Sequence, residues 1–171
     1  MAGNNEKKAQ VKEKTTASIE FTDVDGRDSN GSYALRISPD TVHSTNSMTT
    51  INVTIGYYSE GKTAQAEDEY IGQYEIKAMI KGVITFDTKD FISAIKTGKK
   101  RLLDMKNFSY KTEEVEITEL NPISTNRSSS VSLEQVKSAL KYKFMNNITI
   151  DTFQDAELVI TVITQDYDIN S

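Results

Sequence analysis

The sequence predicts an α+β domain, mainly an antiparallel, sandwich-like β-sheet with two inserted helices and a flexible N-terminal arm. Apolar residues alternate with polar ones along several segments, which is typical of strands with one wetted face. Two later segments repeat apolar residues at helical spacing instead. The first 14 residues, MAGNNEKKAQVKEK, show neither period. We therefore assign residues 1–14 to a polar arm and residues 15–171 to a single domain.

The first strands are predicted on both sides of a turn-rich segment. Ile19 and Phe21 alternate with polar neighbours, and the alternation resumes around Leu35. Between them DVDGRDSNG supplies Asp-Gly and Asn-Gly turn signals. This pattern predicts a hairpin with a long loop, whose second strand ends at Pro39.

The clearest strand is Met48 to Tyr58, because its two faces differ throughout. Its apolar face consists of Ile51, Val53, Ile55 and Tyr57. Two further strands are predicted, one from Tyr70 to Phe86 with a break at Gly82, and one from Phe108 to Leu120.

Two helices follow from spacing and capping. Asp87 is a good N-cap for the first helix, and Gly98 is a natural stop. The residues placed together on one face of this helix are Phe91, Ile92 and Ile95. Ser132 and Gln135 form a capping-box pattern that opens the second helix. Its apolar residues at helical spacing are Leu133, Val136, Leu140 and Phe144.

Two short strands are predicted to close the chain. The second helix ends at Asn146-Asn147, and a strand follows over Ile148–Thr152. The segment LVITVIT, residues 158–164, is rich in β-branched residues and predicts the last strand.

Composition narrows the chemistry that the chain supports. Cysteine is absent and His43 is the only histidine, so thiolate sites, His-rich zinc sites and most triads are excluded. DVDGRDSNG offers spaced oxygen ligands, but from Asp23 the fifth position of the calcium-loop pattern is Arg27. The sequence contains no run of about 18 apolar residues, so it predicts no membrane-spanning segment. We expect that the chain is not an enzyme and that it binds no cofactor or metal.

One segment matches the phosphate-loop pattern G-x-x-x-x-G-K-[ST]. The matching residues are Gly56, Gly61, Lys62 and Thr63. A true phosphate loop joins a buried parallel strand to a helix, whereas the strand before this one has a polar face. Three acids at residues 67–69 would also repel a nucleotide. We therefore interpret the segment as a strand end and a turn, and a phosphate-loop hydrolase as the weakest alternative.

A basic segment is the main candidate for an interface. Residues Lys89–Lys106 carry six basic and two acidic side chains, although the whole chain has a net charge of −5. The cations proposed to form an interface are Lys96, Lys99, Lys100 and Arg101. Nucleic-acid binding by the Lys96–Lys106 patch is the alternative function, with Phe108 and Tyr110 near enough in sequence to stack on bases. Against it, dedicated binders usually show an overall basic excess.

Three segments give the chain a family resemblance: the arm MAGNNEKKAQVKEK, the alternating strand TTINVTIGYY, and the acidic tail LVITVITQDYDINS. In these features the chain resembles small virion proteins of tailed bacteriophages, such as tail tube, head–tail connector and capsid-decorating subunits. The resemblance implies a homo-oligomer assembled through sheet edges and arms, with no catalytic site. It implies partners that are copies of itself and other virion proteins, in a virion assembled in the host cytoplasm.

Overall fold

The computed structural model describes residues 10–28, 31–59, 64–65, 73–124 and 132–170. These residues form nine strands, two α-helices and two short 3-10 turns. The strands are β1 (Gln10–Phe21), β2 (Val24–Asp28), β3 (Gly31–Ser44), β4 (Met48–Ser59), β5 (Ala64–Gln65), β6 (Gln73–Asp87), β7 (Lys99–Arg101), β8 (Ser109–Ser124) and β9 (Glu157–Asn170). The helices are α1 (Thr88–Thr97) and α2 (Leu133–Asn147), and the 3-10 turns are Leu102–Asp104 and Ile150–Phe153.

The larger sheet has β6 near its centre. Strands β2, β3, β4 and β6 follow one another, β8 pairs with the other side of β6, and β5 pairs with β6 at Gln73 and Tyr74. Every pairing in this sheet is antiparallel. The predicted class, a mainly antiparallel sheet with two helices, is confirmed.

The smaller sheet joins the two ends of the chain in the order β1, β9, β7. Phe21 pairs with Leu158, so the predicted hairpin between the first strand and β3 is wrong. The turn-rich segment itself contains β2, whose Val24 is buried, and it is β2 that pairs with β3. Residues 10–14, which the sequence assigned to the arm, pair with β9, and residues 1–9 lie outside the described part of the chain.

The core lies on one face of the larger sheet. The buried residues of β6 on this face are Tyr74, Ile76, Ala78, Ile80, Ile84 and Phe86, each at most 2% exposed. Helix α2 covers the face with Val136, Leu140 and Phe144, and the Phe144 ring lies 4.6 Å from that of Tyr57. The capping box of Ser132 and Gln135 is present as predicted. Phe21, Leu158 and Ala94 join the same apolar cluster, so both sheets and both helices share one core.

Strand β8 keeps its core face through three irregularities in its pairing with β6. The register shifts opposite Gln73/Tyr74, Lys77/Ala78 and Lys81/Gly82. Each shift leaves one extra residue on β8, namely Glu113, Thr118 and Ile123. A bulge changes the local alternation by one residue and bends the strand. The bulges therefore return Thr112, Val115 and Ile117 to the same buried side, although their spacing is not a constant two.

Three predicted boundaries are wrong for local reasons. β3 continues past Pro39 to Ser44, because a register shift between Pro39 and Thr41 lets the ladder pass a residue without an N–H. Residues 148–152 are not a strand; the 3-10 turn Ile150–Phe153 begins there, and Thr149 N–H donates to Thr152 Oγ1 at 3.2 Å. β6 continues through Gly82 without a break.

Gly82 is needed at its position because Tyr110 of β8 lies over it. A methyl carbon on Gly82 would lie 2.6 Å from Tyr110 Cε1, which is closer than real contacts allow. The Tyr110 ring is held 4.6 Å from the Phe153 ring, and its hydroxyl hydrogen-bonds Thr112 Oγ1 at 2.8 Å. Burial raises the pKa of Tyr110 above its ordinary value, although the hydrogen bond to Thr112 lowers it in part. The glycine and the tyrosine therefore fit together as one packed unit.

We predict that Gly82→Ala lowers the free energy of unfolding by about 1–3 kcal/mol, because the Tyr110 ring must move out of its packed position. Gly56→Ala is the matched control, since no atom lies within 4 Å of the methyl position at Gly56. Urea denaturation of both variants measures the effect. Equal stability of the two variants would contradict the packing described for Tyr110.

Candidate interaction surfaces

The predicted basic residues lie on two elements joined by a sharp turn. Gly98 ends α1 with φ of 86°, and its N–H donates to Ala94 O at 2.8 Å. This left-handed conformation suits glycine and redirects the chain into β7. Lys96 thus belongs to the last turn of α1, whereas Lys99 lies in β7 opposite Val159 of β9.

Lys100 is used inside the protein. Its Nζ lies 2.9 Å from Asp90 Oδ1, and the backbone N–H of Lys106 donates to Asp90 Oδ2 at 2.6 Å. Burial raises the pKa of Asp90. The hydrogen bonds from Lys100 and from the Lys106 backbone, together with the charges of both lysines, lower the pKa by more. The pKa of Asp90 therefore lies below its ordinary value. Lys100 therefore fixes the chain after α1 to the first turn of the helix.

Arg101 also has a partner within the chain. Its Nη2 donates to Gln154 O at 3.0 Å, which ties β7 to the segment before β9. Lys96 and Lys99 are exposed, and neither has an ion-pair partner among the described residues. The sequence grouped these cations as one patch, but the structure leaves fewer of them available to an external ligand. This reduces the case for nucleic-acid binding.

Helix α1 carries an exposed apolar face that the sequence did not predict. Phe91 packs against the core and Ala94 is buried, whereas Ile92 and Ile95 are 46% and 40% exposed. The three residues predicted to share one face lie within an arc of about 100°, but this arc runs from the core at Phe91 to solvent at Ile92. Lys89 and Lys96 are exposed and lie one turn from Ile92 on either side. We call Lys89, Ile92, Ile95 and Lys96 the outer face of α1.

Asp87 occupies the predicted N-cap position of α1, but its side chain is used elsewhere. Asp87 Oδ1 accepts a hydrogen bond from Asn107 Nδ2 at 2.8 Å, and no hydrogen bond joins its side chain to the helix. Asn107 has φ of 57°, a conformation that asparagine tolerates better than most residues. Asp87 therefore helps to hold the loop after the first 3-10 turn.

The second face of the larger sheet is not part of the core. We call it the open face; its exposed side chains include Arg36, Asn52, Tyr58, Glu75, Lys77, Met79, Lys81, Lys111, Glu114, Glu116 and Glu119. Tyr58 and Met79 are 47% and 43% exposed, although both are large and apolar. Lys77 Nζ lies 5.5 Å from the centre of the Tyr58 ring. In the sequence, this surface is indicated by large apolar residues at strand positions that face away from the core.

Gly56 forms the floor of a shallow depression on the open face. The depression is bordered by Arg36, Tyr58, Lys77 and Met79, whose side chains rise around a residue that has none. Nothing within 4 Å would obstruct a side-chain atom at Gly56. The depression can therefore accept a side chain from another molecule.

The border of the open face along β8 is acidic. β8 carries four glutamates against one lysine. Glu119 and Glu114 lie 3.6 Å from Lys77 and 4.0 Å from Lys81, in exposed pairs that contribute little to stability. Glu116 lies opposite Met79 and has no ion-pair partner among the described residues.

The free edges of the larger sheet are poorly suited to pairing with another strand. β8 bears three bulges, four glutamates and Pro122, and the described part of β3 beyond Leu35 bears Pro39 and a bulge. Bulges, charges and proline are the features that keep natural edge strands from pairing. Contacts through faces are therefore favoured over contacts through these edges.

The phosphate-loop match falls partly outside the described residues. Gly56 lies within β4, which is antiparallel to both β3 and β6, whereas phosphate loops follow parallel strands. Gly61, Lys62 and Thr63 lie in the segment that the structure does not describe. The interpretation of these residues as a turn stays a prediction.

The remaining candidate sites are a metal cluster, the histidine and the calcium-like segment. Within residues 10–28, 31–59, 64–65, 73–124 and 132–170, no group of three or more His, Asp or Glu side chains is placed to hold a metal ion. His43 is exposed near the end of β3. Asp23 lies 3.7 Å from Arg36 in an exposed pair, and Asn30 of the calcium-like segment is not described. Neither described helix is long and apolar enough to cross a membrane.

Comparison with known proteins identifies no relative. No family model, no curated protein and no solved structure matches the chain. A proposal for function therefore rests on the surfaces and strands of the described residues.

We predict that Asp90→Asn lowers the free energy of unfolding by about 1–2 kcal/mol at pH 7, because Lys100 loses its charged partner. The pKa of Asp90 is lower in the folded than in the unfolded state, so the carboxylate stabilises the fold above its unfolded pKa. That contribution is lost as the pH falls through the folded pKa. The variant and the wild type should therefore converge in stability as the pH falls below the ordinary pKa of an aspartate and through the lower folded pKa of Asp90.

Urea denaturation from pH 7 down to a pH at which the folded Asp90 carboxyl is protonated measures this difference. Asp104→Asn is the control, because Asp104 is exposed and has no ion-pair partner among the described residues. A stability loss in Asp90→Asn that does not change with pH would contradict the role given to the Asp90–Lys100 pair.

Proposed function

We propose that the chain is a structural, self-associating subunit of a large assembly, and more specifically a component of a tailed-bacteriophage virion. A tail tube, a head–tail connector ring and a capsid-decorating layer are the assemblies considered. The observation that carries the self-association is the ladder between β1 and β9, which continues beyond the core as two strands.

The paired ends of the chain leave the core part-way along their length. Phe21, Leu158 and Ile160 are the last buried residues of the ladder, and Ile19 is half-buried. Beyond them residues 10–18 pair with residues 161–170, and we call this part the terminal ribbon. β7 pairs with β9 only at residues 157–159, so two strands alone form the ribbon in the described structure.

The terminal ribbon is poorly suited to remain alone in water. Its exposed side chains in the described structure are Thr15, Thr16, Ala17, Ser18, Thr161, Val162 and Ile163, all uncharged. Val162 and Ile163 are 45% and 51% exposed, and as neighbours in a strand they point to opposite sides. An isolated two-stranded ribbon is marginally stable in water. Each side of the ribbon therefore exposes one large apolar residue beside polar and charged residues of its sequence, and another subunit that covers these two side chains would stabilise the ribbon.

The virion part of the proposal is supported by the sequence resemblance. The charged segments fit the same interpretation, since Lys89–Lys106 is basic whereas β8 is acidic. Complementary surfaces steer copies of one chain towards each other. A gene for a portal or capsid protein beside the gene for this chain would support the virion part, and a gene neighbourhood of unrelated enzymes would oppose it.

We predict that the wild-type protein forms species heavier than its 19.1 kDa chain as its concentration rises. Light scattering after size exclusion measures the mass, and negative-stain electron microscopy shows whether rings or tubes form. Ile163→Asp should reduce the association, because a charge enters an apolar side of the terminal ribbon.

The matched control for this variant is Ile150→Asp, because Ile150 is a comparably exposed isoleucine outside the ribbon. It should associate as the wild type does. A wild-type protein that remains a monomer at every concentration would overturn the proposed function. Equal effects of the two variants would remove the ribbon from the contact.

A further inference from the structure

We infer that the open face of the larger sheet in one copy receives the outer face of α1 from a second copy. The inference rests on the proposed self-association and names the two surfaces that meet. Both surfaces expose large apolar side chains at their centres, and the lysines of α1 are opposite in charge to the glutamates along the β8 border of the open face.

The two surfaces match in apolar character. Ile92 and Ile95 are 46% and 40% exposed on α1, and Tyr58 and Met79 are 47% and 43% exposed on the open face. A helix lying on a sheet is the usual way in which proteins cover an apolar sheet face. The open face is thus a sheet face that no described helix covers, and the outer face of α1 is a helix face that no described sheet covers.

The shapes of the two surfaces also match. The depression over Gly56 lies beside Tyr58 and Met79, and no atom within 4 Å would obstruct a group entering it. The side chain of Ile92 projects from the outer face of α1, since it is exposed and points away from Ala94. A branched aliphatic side chain of this kind can fill a hole left by a glycine between larger residues.

The charges decide which molecule occupies the open face. Lys89 and Lys96 lie on either side of Ile92, and Lys99 follows in β7. Glu114, Glu116 and Glu119 form the border of the open face along β8. Opposite charges at the border of a contact steer the partners and fix their register. A second copy of this chain supplies the cations that this acidic border requires.

Alternative contacts between copies have less support. Pairing through the edges of the larger sheet would use β8 with its three bulges, β3 with Pro39, or the short strand β2 of five residues. Contact between α1 and the open face avoids this problem.

The test is an exchange of charges between the two surfaces. Lys89→Glu with Lys96→Glu should weaken self-association at least about tenfold, and so should Glu114→Lys with Glu116→Lys. The chain that carries all four substitutions should recover most of the wild-type association, because the exchanged charges attract again. Sedimentation velocity over a concentration series measures the association. Circular dichroism confirms that each variant is folded.

An uncharged variant provides an independent measurement. Ile92→Ser should weaken association about tenfold with little change in stability, because Ile92 is already exposed. Tyr142→Ser is the matched control, since Tyr142 is 67% exposed on α2 and belongs to neither surface. It should leave association unchanged.

The outcomes separate this inference from the proposed function. If the wild type associates but the charge exchange and Ile92→Ser leave association unchanged, the inference is overturned and the proposed function stands. If both double variants are weakened and the fourfold variant is not restored, direct contact between these charges is overturned. If the wild type never associates, the proposed function and the inference fail together.

Discussion

The alternation of side chains along β6 links the core of this protein to its outer surface. β6 is paired along most of its length with β4 on one side and β8 on the other, so its position in the sheet is fixed. One set of its side chains is buried in the core, and the residues between them, including Lys77, Met79 and Lys81, must face outward. Burial of the core therefore produces the open face directly. A shift of one residue would exchange the two faces, so the identity of the outer residues follows from the packing of the inner ones.

The irregular pairing of β8 affects both the core and the way in which copies can meet. Its bulges keep Thr112, Val115 and Ile117 on the buried side, and they also bend the free edge of the sheet. The resemblance to virion proteins implied assembly through sheet edges and arms. In this sheet the edges are interrupted, whereas no described residue covers the terminal ribbon or the open face. The bulges that complete the core thus favour the proposed contacts through faces over contacts through sheet edges.

Local signals in the sequence predicted much of the fold. The strand Met48–Ser59 and the capping box at Ser132 depend on neighbouring residues, and a single sequence contains that information. The pairing of β1 with β9 depends on residues at opposite ends of the chain, which no local pattern records. The break expected at Gly82 was wrong because Tyr110, from another strand, fills the space above the glycine. These differences are long-range contacts that override a local preference.

The sequence could show only part of the candidate interface. Charge counting found the basic segment, but it could not show that Lys100 binds Asp90 or that Arg101 binds the Gln154 carbonyl. The helical period grouped Phe91, Ile92 and Ile95, because it gives the separation of residues around the helix but not the direction of the core. An outward apolar stripe on α1 is visible only once the position of the helix against β9 and β6 is known.

A contact between α1 and the open face has a geometric consequence for the assembly. The two surfaces differ, so each copy offers one surface to the copy before it and the other to the copy after it. Such heterologous contacts generate closed rings when the rotation between copies closes, and helical filaments when it does not. A two-fold dimer would instead require α1 of each copy to lie on the open face of the other at the same time. Successive one-way contacts build rings or tubes, and those are the forms that a tail tube or a connector ring requires.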